Sequence, residues 1–425
     1  MSKIRATFYG DDFTGSVDAL LQFARRGWSG RLFVGIPSER RLRDAAGACD
    51  VVGIAGIARS LSNADLDAEV RPALTALAAT GAPIVQYKAC STADSSPTVG
   101  SIGRAIEIGR EVVGAGVVPV LFAQPDFGRF TAFSHHFAAE RGTVYRLDRQ
   151  PTMSTHPSTP MTESDLTLHL RAQTSLPVSA LTLTDYSSST TIAAHLQDRP
   201  DHAVVLDALT NEHLDMLGVA IRSLPTPVFA VGSGGLSTAI AGHSNPEAPA
   251  LPTKTAATGP VLAVSGSRSS QTRRQMDAAA HAGWLVIPMP VDAATRSDAL
   301  AKIDRALSSG RSVALSSDDL TLPTHASEVL DLLAETASAV IAHAVSVGAC
   351  RRFIVCGGDT SSRVTTLLGI DSLSIVACPR GNIVLLRAHA QSTAIDGIEL
   401  LLKGGQVGDV DLFDDIRAGK SEGNA

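Results

Sequence analysis

Short apolar runs alternate with amphipathic stretches along most of this chain, the rhythm of strand followed by helix. Residues 4–9 read as a strand, Gly10-Asp11-Asp12-Phe13-Thr14-Gly15 as a polar turn, and residues 16–26 as a helix. Val17, Leu20, Leu21 and Ala24 share one face of that helix, and Gly27 stops it. Residues 31–36 are the next strand, so the chain opens as a βαβ unit, which places ligands at the carboxyl ends of its strands. The strand pattern returns at 50–55, 83–87, 117–123, 204–207 and 227–231, with helices over 63–79 and from 100 to 109. The stretch 131–165, rich in Pro, Ser, Thr and His, shows no clear period.

Residues 242–259 (GHSNPEAPALPTKTAATG) are poor in large apolar side chains and rich in Pro, Ala and Thr, which marks a linker. Beyond it the rhythm resumes, with strands at 260–264, 285–288, 313–316 and 352–356 and helices over 270–282 and 326–347. The pattern predicts an α/β protein: two α/β domains with largely parallel sheets facing across a cleft. Their expected limits are 1–245 and 259–425, with 246–258 between them.

At 425 residues, 44% hydrophobic and 18% charged, the chain has ample material for two cores, and its 4% aromatic content leaves them to Ala, Val, Leu and Ile. A net charge of −6 argues against a nucleic-acid partner held by bulk electrostatics, while leaving room for a small anion at a local positive site. The cysteines (Cys49, Cys90, Cys350, Cys356, Cys378) are odd in number and contain no C-x-x-C, against a disulfide framework or zinc site. The amino terminus runs straight into a strand, and the apolar run 112–123 is broken by Gly114, Gly116 and Pro119. The expectation is a cytoplasmic protein without a membrane partner.

Candidate chemistry sits at the strand ends. Before the linker these carry charge: Asp11, Asp12, Arg59-Ser60, Lys88 with Ser91, Thr92 and Asp94 behind it, and Arg129. Such a set suits a small acidic substrate, since arginine binds carboxylates bidentately. Asp11-Asp12 also suits a plain helix cap. Successive side chains of a strand alternate in direction, so one of the two is expected at the site, and Asp12, nearer the turn, is favoured. After the linker the strand ends look like backbone cradles: Ser265-Gly266-Ser267, Gly357-Gly358-Asp359-Thr360 and Lys403-Gly404-Gly405. Glycine lets the main chain approach a phosphate and a helix start adds its N–H groups, so these suit a nucleotide polyphosphate. His135, His136 and His156 have no metal-ligand company and read as structural. Gly419-Lys420-Ser421 only mimics the end of a P-loop, because Asp414 stands where its earlier glycine belongs. Gly232-Ser233-Gly234 only mimics a dinucleotide fingerprint, because Ser237 replaces the last glycine.

In this order the motifs resemble the four-carbon acid sugar kinase family. The resemblance rests on Gly10-Asp11-Asp12-Phe13-Thr14-Gly15, Lys88-Ala89-Cys90-Ser91-Thr92-Ala93-Asp94-Ser95, His156-Pro157 with Pro160-Met161 and Ser164, and the three cradles. It implies ATP-dependent phosphorylation of a sugar acid such as a tetronate or 3-oxo-tetronate. It also implies an acid-binding N-terminal domain and an ATP-binding C-terminal domain with Mg²⁺, whose ligands no residue announces. The wording of 7–20 and 100–109 is closer to a subgroup whose substrate is 3-oxo-isoapionate. The implied roles give Asp12 the substrate hydroxyl proton, and Arg59 and Lys88 the substrate carboxylate or the transferring phosphate. Ala93, Arg268, Ser362, Arg363 and Gly404 depart from the family pattern. Arg268 and Arg363 adjoin the cradles and leave open a catalytically inactive binding protein. A homodimer is open as well.

Overall fold

Residues 6–10, Ala-Thr-Phe-Tyr-Gly, are buried on both faces, as befits a central strand of a parallel sheet covered on both sides. The computed structural model describes residues 4–243, 250–256, 259–318, 320 and 326–419. The chain divides into two units, Met1–Ala250 and Leu251–Ala425. The first runs β1 (Ala6–Gly10), α1 (Phe13–Arg25), β2 (Gly30–Val34), α2 (Glu39–Ala48), β3 (Val51–Ala55), α3 (Asn63–Ala78), β4 (Ile84–Lys88), α4 (Ile102–Val113) and β5 (Val118–Leu121). It continues β6 (Arg129–Ala132), β7 (His135–Glu140), β8 (Thr143–Arg146), α5 (Leu166–Arg171), β9 (Val178–Leu181), α6 (Ser189–Gln197), β10 (Ala203–Leu206), α7 (Asn211–Arg222), β11 (Val228–Gly232) and α8 (Gly234–Ala241).

Eight of these strands form a parallel sheet in the order β2-β3-β1-β4-β11-β5-β10-β9. The chain lays β3 on one side of β1 and then β4 on the other, so the loops after β1 and β4 diverge and open a crevice at their carboxyl ends. The core is aliphatic, with Ile54, Val70, Leu74, Ile106, Val120 and Val231 within it and Tyr9 stacked on Tyr87. The aperiodic stretch contains a small antiparallel sheet, β6-β7-β8.

The second unit runs β12 (Val261–Ser265), α9 (Ser270–His281), β13 (Leu285–Pro288), α10 (Ala293–Ser308), β14 (Val313–Ser316), α11 (Ala326–Ser346), β15 (Arg352–Cys356), α12 (Gly358–Leu367), β16 (Ile370–Arg380), β17 (Ile383–Ala390), β18 (Glu399–Lys403) and α13 (Leu412–Ala418). Strands β13-β14-β12-β15-β18 are parallel, and β17 then β16 add an antiparallel edge. The register sets Ser265 beside Cys356 and Cys356 beside Lys403, so three strand ends lie side by side. Of the expected linker, residues 246–249 and 257–258 lie outside the described residues. Part of the rest is held to the second unit, where Cys378 N donates to Pro252 O (2.8 Å) and Arg352 Nη2 to Ala256 O (2.9 Å). Among the described residues one helical stretch, Glu328–Ser346, is long and apolar enough to cross a membrane; half of it is buried, and its helix packs on α12 and β12.

Candidate active site

The crevice of the first unit is closed at its base by main-chain bonds. Asp11 N donates to Lys88 O (2.9 Å), Gly56 N to Gly10 O (2.9 Å), Arg59 N to Asp11 O (3.0 Å) and Ala89 N to Gly232 O (2.9 Å). Above them one guanidinium serves two carboxylates. Arg59 Nε and Nη2 donate to Asp11 (3.1 and 2.8 Å), and Nη1 and Nη2 donate to Asp12 (3.0 and 2.8 Å). Both aspartates therefore reach the site, contrary to the alternation expected of a strand. The strand ends at Gly10, and Asp12 already caps α1 by accepting from Gly15 N at 2.9 Å. Asp11 is 2% exposed and the Asp12 side chain 29%, so Asp12 is the one open to solvent. Burial pushes the Asp11 carboxyl up, Arg59 pulls it down, and the charge of Asp12 adds to the rise. Four of the five N–H donors of Arg59 are committed to this pair, which leaves it little to offer a substrate carboxylate.

A side chain at Gly15 would push into the cluster. A Cβ there would lie 2.3 Å from Asp12 Oδ1, 3.1 Å from Lys88 Nζ and 3.5 Å from Arg59 Nη2, so all three groups converge over the first turn of α1. Lys88 is buried, donates to Ala89 O (2.8 Å), and lies 3.9 Å from Asp18 Oδ2. Sequence reasoning missed Asp18, which Gln22 Nε2 anchors through its Oδ1 at 2.7 Å. It also missed Gln124, whose Nε2 approaches the two Asp18 oxygens at 3.5 and 3.4 Å. The available signal was Ser16 and Gln22, polar residues on the buried side of α1.

Behind Lys88 the Thr92 hydroxyl donates to Asp94, and Cys90 Sγ is 3.1 Å from Thr92 Oγ1. Ala93 is fully buried at φ 52°. Arg129 Nη1 is tied to the carbonyls of Phe127 (3.0 Å), Gly128 (3.4 Å) and Ala139 (3.1 Å), and its Nε is buried without a partner. The Ser60 hydroxyl turns back to Ile57 O (3.1 Å), so no hydrogen bond brings it into the cluster. The four carboxylates of Asp11, Asp12, Asp18 and Asp94 outnumber the cations of Arg59, Lys88 and Arg129.

His136 holds the Ser91 loop in place. It is fully buried, donates from Nε2 to Ser91 O (2.7 Å), and accepts at Nδ1 from Thr131 Oγ1 (2.9 Å). Burial pushes its pKa down to about 4, and its bond to Ser91 opposes this only in part. The unfolded chain then binds the extra proton between about pH 6.5 and 4, so stability falls as pH drops through that window, by about 3 kcal/mol once it is complete. Acid unfolding of H136Q should lack this contribution; a midpoint pH equal to wild type would remove the assignment. His135 Nδ1 bonds Ser164 Oγ (2.9 Å) and His156 Nδ1 bonds Thr159 (3.1 Å to N), so these histidines are tied to neutral partners.

In the second unit the three strand ends carry Ser265-Gly266-Ser267, Gly357-Gly358 and Lys403-Gly404-Gly405. The glycines serve approach more than donation. Gly266 N is spent on Cys356 O (3.0 Å) and Gly357 N on Lys403 O (2.8 Å), both lengthening the parallel ladder. Gly266 lets the buried Thr360 close in, since a Cβ there would lie 2.3 Å from its hydroxyl. Thr360 is not a helix cap: α12 starts at Gly358, and its N-cap Gly357 (φ 115°) makes no side-chain capping bond. The N–H groups of Gly358, Asp359 and Thr360 thus have no intrahelical partner. A Cβ at Gly405 would meet Ser267 Oγ at 2.3 Å, and Gly405 O accepts from Thr272 Oγ1 at 2.8 Å and from Ser269 Oγ.

Lys403 completes the cradle. It is 2% exposed, and among the described residues its ammonium reaches only Thr272 Oγ1 (3.2 Å) and Gly404 O (3.1 Å), with no carboxylate. Burial pushes its pKa below the usual lysine value, and the Cys356 thiol opposes this weakly. A buried cation with neutral acceptors, beside free helix N–H groups, fits a phosphate. Arg363 is not part of it, being paired with Asp331, and Arg268 is exposed. Among the described residues no three His, Cys, Asp or Glu side chains gather for a metal. Asp359, exposed in the first turn of α12, is a single carboxylate beside the cradle, which fits Mg²⁺ held mainly through phosphate oxygens and water.

Of the two look-alike motifs, Gly232-Ser233-Gly234 ends β11 and starts α8, while Lys420 and Ser421 lie outside the described residues. A cavity of about 330 Å³ opens elsewhere in the first unit, at the amino ends of β5 and β11. No charged side chain lines it, so it offers no chemistry.

Residues 6–240 match a family model described as a sugar-binding N-terminal domain, and residues 262–413 one described as a nucleotide-binding C-terminal domain. The chain is similar to a 3-oxo-isoapionate kinase of Paraburkholderia graminis, with 36% identity over 98% of this chain and 94% of the relative. It is also similar to a 3-oxo-tetronate kinase of Pseudomonas fluorescens, with 30% identity over 95% and 94% of the two chains. The fold matches the crystal structure of the Haemophilus influenzae protein HI1011 at a TM-score of 0.76, with 21% identity over 96% of this chain and 98% of that one.

Proposed function

The chain belongs to the four-carbon acid sugar kinase family, and from that membership we propose that it transfers a phosphoryl group from ATP to a hydroxyl of a small sugar acid. The acid is of the 3-oxo-tetronate or 3-oxo-isoapionate type, the substrates named for its relatives. The observation that carries the reading is Lys403, a buried ammonium that meets no carboxylate among the described residues, at the strand ends where a polyphosphate would lie.

In this reading Lys403 and the first N–H groups of α12 hold the phosphates of ATP. Bound Mg²⁺ would neutralise phosphate charge, with Asp359 as the adjacent carboxylate. In the first unit Lys88, with donor capacity left after its bond to Ala89 O, takes an anionic oxygen of the substrate. Asp12 accepts the hydroxyl proton, as the exposed member of the aspartate pair. Asp11 and Arg59 act through Asp12 by fixing its carboxylate. Phosphoryl transfer depends mainly on positioning and charge stabilisation, so this equipment is sufficient. The inactive-protein alternative leaned on Arg268 and Arg363, and it loses support because one is exposed and the other is paired away from the cradle.

A coupled ADP-release assay with and without Mg²⁺, over 3-oxo-isoapionate, 3-oxo-tetronates and tetronates, tests the proposal. Metal-dependent release with at least one 3-oxo acid is expected, and D12N should abolish it while ADP still raises the melting temperature. No release with any acid would refute the activity, and full turnover by D12N would refute the role of Asp12.

A further inference from the structure

The gap between Asp18 and Lys88 combines an acceptor and a donor that, among the described residues, both have bonding capacity left. Asp18 is pinned on one side only. Its Oδ1 accepts a 2.7 Å bond from Gln22 Nε2, whereas Oδ2 has only the distant Gln124 Nε2 at 3.4 Å and Lys88 Nζ at 3.9 Å. Lys88 in turn donates one hydrogen bond, to Ala89 O. A separation of 3.9 Å is too long for a hydrogen bond. It suits one bridging oxygen that donates to the carboxylate and accepts from the ammonium. Gln124 is buried to 4% exposure and brings an amide to the same point. Gly234 allows this: a Cβ there would lie 2.4 Å from Asp18 Oδ2 and 2.7 Å from Gln124 Nε2.

The charge balance favours a hydroxyl over a second anion. Asp11 and Asp12 already share Arg59, and the Asp18 carboxylate, 3.9 Å from Lys88, would repel a second anion placed between them. A carboxylate with a free lone pair beside an ammonium reads a hydroxyl, which can donate to one and accept from the other.

We propose that Asp18, supported by Gln124 and Gln22, is a specificity-determining residue that binds a substrate hydroxyl other than the one phosphorylated, bridging it to Lys88. The inference rests on the sugar-acid kinase reading. A 3-oxo-tetronate has two hydroxyls; one receives the phosphoryl group and the other is the one Asp18 reads.

The test compares kcat/KM for the preferred 3-oxo acid and for its analogue lacking the hydroxyl that is not phosphorylated, in wild type and D18N. Wild type should favour the complete substrate by about 100-fold, because a site built for a hydroxyl leaves its polar groups unpaired without it. D18N should lose most of that preference, falling about 100-fold on the complete substrate and only a few-fold on the analogue. Equal losses on both, or preserved discrimination, would overturn the inference while leaving the kinase reading intact. Absence of wild-type turnover on every acid would remove both. If D18N fails to fold by circular dichroism, Q124L carries the test: it should lower discrimination about 10-fold, and unchanged discrimination would overturn the inference.

Discussion

Replacing Lys403 by methionine is expected to weaken ADP and ATP binding about 100-fold while leaving the ligand-free chain at least as stable as wild type. The two effects have opposite signs for one reason. Lys403 is 2% exposed and among the described residues its ammonium meets only Thr272 Oγ1 and Gly404 O, so without ligand its charge is buried among neutral acceptors. That arrangement costs on the order of a few kcal/mol relative to a paired charge, and methionine of similar length removes the cost. The pKa direction agrees. Because burial lowers the folded value, the unfolded chain binds more protons below the usual lysine range, and stability decreases as pH falls through the interval between the two values. K403M should lose that slope. Melting with and without Mg-ADP reads both effects: the ligand-free transition is expected unchanged or higher, and the ADP-induced rise is expected to vanish. A normal ADP response in K403M would show that the phosphates lie elsewhere.

That prediction needed both the sequence and the structure, and the division of labour has a physical basis. Strand Arg352–Cys356 stands where the mainly apolar run placed it, because a strand buried on both faces leaves a near-continuous apolar signature. Helices α1, α3, α4, α9 and α11 were legible from their stops and their periodicity, whereas α2, α6, α7, α8 and α10 went unread. The small sheet β6-β7-β8 was not, since its strands of four to six residues carry Arg, Thr, His and Glu. The antiparallel edge β16-β17 went unread as well. Its bulges break the alternation that identifies a half-buried strand.

At the sites, residue type was legible and pairing was not. Asp11, Asp12, Arg59 and Lys88 stand together in one crevice, yet no spacing could reveal that Arg59 is consumed by both aspartates. Glycine positions were legible too, but their purpose differed: Gly266 and Gly357 give their N–H groups to the sheet, and the uncapped start of α12 supplies free donors instead. Asp18 escaped notice because one carboxylate on an amphipathic helix looks like any solvated residue until Gln22, Gln124 and Lys88 are seen around it.

Replacing Arg59 by methionine should destabilise the first unit by about 3–5 kcal/mol, because it strands a buried carboxylate. Asp11 is 2% exposed, and its partners Nε and Nη2 of Arg59 would both be gone, with the Asp12 carboxylate still sharing the site. Burial already pushes Asp11 toward its protonated form, and loss of the guanidinium removes the main opposing influence. The folded variant should then hold a proton that the unfolded chain releases near its ordinary carboxylate pKa. Its stability deficit therefore shrinks as pH falls toward that value. D11N in the R59M background removes the stranded charge and should recover most of the melting temperature at neutral pH. It should not recover turnover, because Asp12 would still lack the two bonds that fix it. Thermal melts at two pH values, with ADP release from each variant, separate these outcomes. A small deficit in R59M that does not change with pH, or no recovery in the double variant, would mean that the shared guanidinium is not what keeps the buried carboxylate in place.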